Sequence, residues 1–472
     1  MEIGEGISVT SASEPDQKKK KKDEITIRCL MFFDGTLNNK KNIEERQKGS
    51  DIYLNNRKNP GLEKRLAAGA AGIDLEDDSY ENDFSNIVTL EQNIAPQQEG
   101  YSERIKVYTE GAGTMDHGSD DQDGYAFAKG ITGIKQKVMN GINKAVEQIS
   151  IGPIDADTRN PEALIIKKLT IDLFGFSRGA ASARYCVHQL LRDERHNMRT
   201  RLTNLGFEVE VIELCFVGLF DTVSAYKSMQ IFKILPLENW FVKLESVREA
   251  QKIVHLASAE EHRYHFSLHN IRSAGGKGEQ YFLPGVHSDI GGGYLDNGSD
   301  AGLVVCEAHR HWAQKDRSDY LVANGWYKDE QLIEEVISRD ENNQPDYVRL
   351  VVTREAGKAR IVRNAYCKIP LKLMAECAAK SGIQLKPKLE EDSTNTINSF
   401  PELTRLEAKI RAYIGKVGPR GSKPEDWQKS DPELNLIRHK HLHFSARYNT
   451  FFGHNPRRTL LGNRRERYEF DG

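Results

Sequence analysis

The feature that most constrains this chain is an apolar strand running without a break into a glycine-flanked serine. Leu164 to Phe174 has the texture of a buried strand, and Gly175-Phe176-Ser177-Arg178-Gly179 follows at once. Ala180-Ala181-Ser182-Ala183 then opens a helix predicted over about Arg178 to Leu191. A serine on so sharp a strand-to-helix turn needs small neighbours two residues away on either side. Gly175 and Gly179 meet that need. The turn exposes the serine Oγ and aims a helix N-terminus at it. The backbone N–H of Arg178 is then a candidate oxyanion donor.

The rest of the first 310 residues repeats the alternation. Ile25 to Phe33, Ile105 to Tyr108, Val209 to Phe220 and Gln280 to Pro284 read as strands. Gly130 to Ile149 reads as a helix, with Ile131, Ile134, Val138, Ile142 and Val146 spaced at three or four. Strands alternating with helices predict a mainly parallel sheet covered by helices on both faces. From about 310 onward charged helical stretches and polar loops dominate, including a helix over Ile369 to Gly382 with proline at its second position. We therefore divide the chain into a polar, disordered tail (1–23), a catalytic core (24–310) with a cap at 224–270, and a mostly helical accessory region (311–472) that contacts a membrane or a partner.

Composition narrows the functions. With 67 basic and 69 acidic residues the net charge is −2, so no global field draws the chain to nucleic acid. No apolar run reaches the ~18 residues of a spanning helix, and the start of the chain lacks a signal-peptide core. Lys18 to Lys22 read as a solvated run. The 6 cysteines include no CxxC pair and sit mostly among apolar neighbours. They read as small buried hydrophobes in a reducing compartment, with no disulfide framework and no zinc site.

G-x-S-x-G in this context predicts an α/β-hydrolase, in which the triad follows the chain order Ser, Asp, His. Val217-Gly218-Leu219-Phe220-Asp221-Thr222-Val223 ends an apolar strand on an acid, Asp221. His287 lies in Gly285-Val286-His287-Ser288-Asp289-Ile290-Gly291-Gly292-Gly293, where flanking glycines let the backbone bring an imidazole over Ser177. His255, His265, His269 and His443 are rival histidines. Asp289 is the rival acid or a brace for the histidine loop. A second oxyanion donor is expected from Phe33-Asp34-Gly35-Thr36-Leu37, through the N–H of Gly35 or Thr36, with Asp34 fixing the loop.

Two other chemistries compete for parts of this sequence. Asp34-Gly35-Thr36 after an apolar strand resembles haloacid-dehalogenase phosphatases, but their nucleophilic aspartate would stand at Phe32, so no phospho-aspartate can form. Asp120-Asp121-Gln122-Asp123-Gly124 is a fragment of a calcium loop without the closing glutamate and reads as a surface loop. Between Asp221 and His287, the segment Met229 to Leu244 is apolar but interrupted by Pro236, Glu238 and two lysines. It reads either as a lid presenting Phe232, Trp240 and Phe241 to lipid or as a segment packed on the core.

Four segments together carry a family resemblance: Phe32-Phe33-Asp34-Gly35-Thr36, Gly175 to Ala180, Gly218 to Val223 and Gly285 to Tyr294. Tyr108 to Thr114 and His255-Leu256-Ala257, with Glu261 and Arg263 following, also fit. Over roughly residues 25–300 the chain resembles the α/β-hydrolase family that contains bacterial type VI secretion phospholipase effectors of the first lipase-effector class. The resemblance implies a Ser177–Asp221–His287 triad acting on glycerophospholipid acyl esters at a membrane surface, with no cofactor. It also implies synthesis in the bacterial cytoplasm, a secretion-apparatus carrier, action in the periplasm of a target cell, and a cognate immunity protein. Competing classes are an intracellular esterase on a non-lipid substrate and a non-catalytic binding protein on the same fold; the complete candidate triad disfavours the latter.

Overall fold

A computed structural model of the chain describes residues 22–58, 79–121, 124, 130–152, 160–194, 197–224, 242–387, 389, 396–448, 455–457 and 466–472. Nearly all of the predicted tail, and Phe232, Trp240 and Phe241, lie outside the described residues.

Six parallel strands form the central sheet. They are β1 (Asp23–Phe33), β2 (Glu103–Thr109), β3 (Leu164–Phe176), β4 (Glu208–Phe220), β5 (Lys252–Ser258) and, after the two-residue strand β6 (Leu268–His269), β7 (Gly278–Leu283). Their order is β2-β1-β3-β4-β5-β7. β1 shows why these segments are strands covered on both faces. Ile27, Cys29, Met31 and Phe33 enter one apolar cluster, while Leu30 and Phe32 enter another on the opposite side. All six are at most 1% exposed, so alternate side chains are buried on both faces. Phe32, the residue that excludes phospho-aspartate chemistry, stacks on Phe174 with ring centroids 5.0 Å apart.

Helices Ile134–Ile151 and Arg178–Leu191 cover the first face through Val138, Ile142, Ala145, Ala183 and Val187. Helices Asn86–Gln92 and Lys368–Lys380 cover the second, with Ile87, Leu90, Leu373 and Met374. Trp326, Leu350, Leu403 and Leu434 extend that second core, so residues beyond 310 share it. Beside the expected helices this region takes part in a three-stranded antiparallel sheet. β8 (Gly298–Ser299) precedes its strands β9 (Val304–His309), β10 (Leu332–Arg339) and β11 (Pro345–Val352), ordered β10-β11-β9. β12 (Ile361–Val362) pairs with β8, and β13 (Glu469–Phe470) runs parallel to β6.

The sheet order reverses at β1 and β3, since β2 and β3 flank β1 on opposite sides. Such a reversal opens a crevice outside the carboxyl ends of the strands, where ligands bind in open α/β sheets. Ser177 follows β3 at that place, and Asp34 follows β1.

Candidate active site

Ser177 stands between the last residue of β3 and the first of the helix Arg178–Leu191, with φ 56° and ψ −124°. A non-glycine residue in this region is strained by about 1–3 kcal/mol and persists only where its surroundings hold it. The surroundings here are specific. A Cβ at Gly175 would overlap the Gly179 carbonyl oxygen, and a Cβ at Gly179 would overlap the carbonyl oxygens of Phe33 and Asp34. The two glycines are thus the condition for the turn, as the sequence pattern predicts. Arg178 is the first helical residue, at the end carrying the positive partial charge.

β3 and β4 end together, Phe176 opposite Phe220, so Ser177 and Asp221 leave the sheet as neighbours. The Val223 N–H donates back to the Ser177 carbonyl oxygen at 3.3 Å. Asp221 is fully buried, and its Oδ2 accepts from His287 Nδ1 at 2.5 Å while Oδ1 accepts the Ser258 N–H at 2.8 Å. Burial alone would raise its carboxyl, but Arg467 and His287 beside it hold it far below the usual carboxylate range. His287 begins the short helix His287–Gly291 after β7, and its ring lies against Phe176 at 4.7 Å and Phe266 at 5.0 Å between centroids. Burial pushes its imidazole below the ordinary histidine value, and the Asp221 hydrogen bond offsets this only in part. No Ser177–His287 hydrogen bond is formed among the described residues; the His287 ring packs on Phe176, the residue before Ser177.

The loop after β1 takes part as a braced wall. Asp34 accepts hydrogen bonds from Ser85 Oγ, Tyr108 Oη and the Gly35 N–H, each at 2.7 Å. Burial nevertheless pushes its carboxyl up to about 6. Because the Gly35 N–H is committed to Asp34, Gly35 is not the oxyanion donor of this loop in this conformation. The Thr36 N–H makes no hydrogen bond among the described residues and is the remaining candidate.

The rival residues have other work. His255 lies on β5 and is fully buried. Its Nε2 accepts the Thr222 N–H at 3.0 Å, so Nδ1 carries the proton and donates to Gln280 Oε1 at 2.9 Å. Burial pushes its pKa down to about 3, so it is a neutral strut under the acid turn. His269 pairs with Ser224 Oγ at 2.7 Å. His265 packs edge-on against Tyr264. Asp289 accepts the Val286 N–H at 2.9 Å and His443 Nδ1 at 2.7 Å, which makes it the brace of the histidine loop.

Sequence reasoning missed most of that bracing. Glu260, nearly fully buried, accepts the Gly285 N–H at 2.8 Å and Arg438 Nε at 2.7 Å. Glu261 accepts the His287 N–H at 3.3 Å and is held by Arg263 and Ser445. Tyr366 Oη donates to the Pro284 carbonyl oxygen at 2.6 Å. Arg467 forks onto both oxygens of Asp221, at 2.7 and 2.8 Å. Arg438, Ser445, Tyr366 and Arg467 come from beyond residue 310, and no spacing in the sequence marks them as partners of the site.

A family model described as "T6SS, Phospholipase effector Tle1-like, catalytic domain" matches residues 188–313, a span that holds Asp221 and His287 and begins after Ser177. Comparison with curated proteins finds no match. The solved structure of the Tle1 effector bound to the VgrG spike from the type 6 secretion system aligns over 95% of this chain and 90% of that chain, with a TM-score of 0.61 and 24% identity. An uncharacterized protein from Pseudomonas aeruginosa aligns over 88% of this chain and 52% of that chain, with a TM-score of 0.38 and 17% identity. The chain therefore has the α/β fold of the Tle1 effector, and over residues 188–313 it is similar to the catalytic domain of the Tle1-like phospholipase effectors.

Proposed function

We propose that the protein is a serine esterase of phospholipase A type, hydrolysing acyl esters of glycerophospholipids through Ser177, Asp221 and His287. The observation that carries this reading is the Ser177 backbone, strained at φ 56° on a strand-to-helix turn beside a buried Asp221–His287 pair. Strain of this kind at a serine serves to present its Oγ. The Tle1-like match over residues 188–313 supports a lipid ester as the substrate.

In the proposed mechanism His287 Nε2 comes onto Ser177 Oγ, a contact that resting-state geometry commonly leaves incomplete. Oγ attacks the ester carbonyl as Nε2 takes its proton. Asp221 orients the ring and stabilises the imidazolium. The N–H groups of Arg178 and Thr36 hold the oxyanion. His287 then protonates the leaving alcohol, and afterwards activates water to free the serine. Every proton transfer has a residue of the chain assigned to it, so the reading calls for no metal or organic cofactor.

The biological setting follows the same analogy. The protein is a type VI effector made in the bacterial cytoplasm and carried by the secretion spike. It acts on membrane phospholipid in the periplasm of a target cell, and the producer is protected by an immunity protein. Residues 24–310 form the catalytic core and 311–472 the accessory region; the cap expected over 224–270 cannot extend through 252–258, because those residues are β5, an inner strand of the central sheet. Phospholipid vesicles treated with wild type and Ser177→Ala test the central claim. Wild type should release free fatty acid and lysophospholipid, and Ser177→Ala should be slower by about 10⁴-fold or more. Wild-type turnover in Ser177→Ala would overturn the reading.

A further inference from the structure

The segment 466–472 lies against the acid of the candidate triad. β13 docks beside β6, with the Leu268 N–H donating to the Tyr468 carbonyl oxygen at 2.8 Å and the Asn270 N–H to that of Phe470 at 2.9 Å. Asn270 Nδ2 fastens the same segment through Glu469 and Asp471, each at 2.9 Å. This docking sets Arg467 under the acid turn, with its side chain 9% exposed. Its Nε donates to the Phe266 carbonyl oxygen at 2.8 Å and Nη1 to Ser258 Oγ at 2.8 Å. The remaining fork spans both oxygens of Asp221.

We propose that Arg467 is a positioning residue for the ester hydrolysis, locking the Asp221 carboxylate in the plane that receives His287 and setting the basicity of that histidine. The proposal rests on the esterase reading above. A carboxylate that must orient an imidazole has one rotational freedom to lose. The Ser258 N–H and His287 take one site on each oxygen, and the planar guanidinium takes another on each, so the carboxylate cannot turn. The same cation offsets the Asp221 charge that His287 feels. The charged and titratable groups facing the pair are Arg467 from 466–472, Glu261 and Arg263 from the turn after β5, His255 on β5, and the pair itself. Removing Arg467 therefore strengthens the pull of Asp221 on the imidazole proton.

The test compares full-length wild type, Arg467→Met, Arg467→Lys and Ser177→Ala on a short soluble ester across the pH range, with His287 ring titration followed by NMR. Arg467→Met should lower kcat/KM by about 100-fold and move its acid limb up by about one pH unit, with the ring titration moving equally. Arg467→Lys keeps the charge without the fork, so the limb should stay near that of wild type while the rate recovers only in part. An unchanged rate in either variant, or in Arg467→Met a uniform loss with unmoved acid limb and ring titration, overturns the proposal. If Arg467→Met fails to fold, Arg467→Gln, which is also neutral, is read by the same criterion. An inert wild type, or an active Ser177→Ala, defeats the esterase reading instead. In that event the ring titration of the Arg467 variants still reports on Arg467 itself.

Discussion

Ser177 donates its backbone N–H to the carbonyl oxygen of Phe220 at 3.0 Å, joining the turn of the proposed nucleophile to the residue just before the proposed acid, Asp221. The bond ties two turns that each hold a non-glycine residue at positive φ, Ser177 at 56° and Asp221 at 41°. Strain at both ends of one hydrogen bond is local stability given up for the placement of two side chains.

Relieving that strain should separate stability from activity. Ser177→Gly removes the nucleophile and accepts the positive φ without penalty, so hydrolysis should vanish while the folded state gains about 1 kcal/mol. Turnover and calorimetry on one preparation check this. A lowered melting temperature would mean that Ser177 is not strained.

The small residue after the nucleophile should be intolerant in a way other glycines are not. In Gly179→Ala the new methyl meets main-chain carbonyls that cannot swing aside, and we expect a loss of about 2 kcal/mol with at least tenfold lower kcat/KM. Gly415, in the helix Pro401–Gly421, has nothing within 4 Å of its would-be Cβ, so Gly415→Ala should instead stabilise by about 0.5–1 kcal/mol. Denaturant titration of both variants compares them. Equal responses would remove the close-approach argument.

Stability should fall on the acid side through His255. Its folded-state pKa, about 3, lies below the ordinary 6.5, so below that ordinary value the unfolded chain binds a proton that the folded chain refuses. The stabilisation is complete above pH 6.5 and is lost progressively as pH falls toward about 3. His255→Gln keeps an acceptor for the Thr222 N–H and removes the titration. Unfolding free energies near neutral pH and in mild acid should therefore diverge less for the variant than for wild type. The same difference in both proteins would show that His255 is not responsible.

The segment carrying Phe232 and Trp240 has a prediction that needs only its composition. If it meets lipid, Phe232→Ser with Trp240→Ser should lower activity on vesicles much more than on a short soluble ester. Equal loss on both substrates points to damaged folding, and undiminished vesicle activity removes the segment from lipid binding.

Much of the sheet and the candidate site was legible because both are written in local pattern. Helix Arg178–Leu191 was predicted at its observed limits, and β4 was predicted to within a residue, because apolar period and glycine punctuation coincide there. β5 was missed as a strand, and His255 within it stayed a rival base; a short apolar run gives no sign of which element it joins. β10 lies in the region expected to be mostly helical. Ile333, Val336 and Ile337 stand at helical spacing beside glutamates, yet they lie on the exposed edge strand of the small sheet. Glu260–Arg438 and Asp221–Arg467 were illegible for a simpler reason. An ion pair spanning 178 or 246 residues leaves no periodic trace in either segment.

That last separation has a consequence in time. Ribosomes add about 5–20 residues each second, and domains fold as they emerge. When Asp221 is added to the growing chain, 246 residues are still to be made before its guanidinium partner exists, a delay of roughly 12–50 s. Once His287 has followed, the nascent chain holds a serine, an acid and a histidine without Arg467, and Arg438, His443 and Ser445 are likewise still to come. The proposed acid thus acquires its full set of partners only after Arg467 has been made.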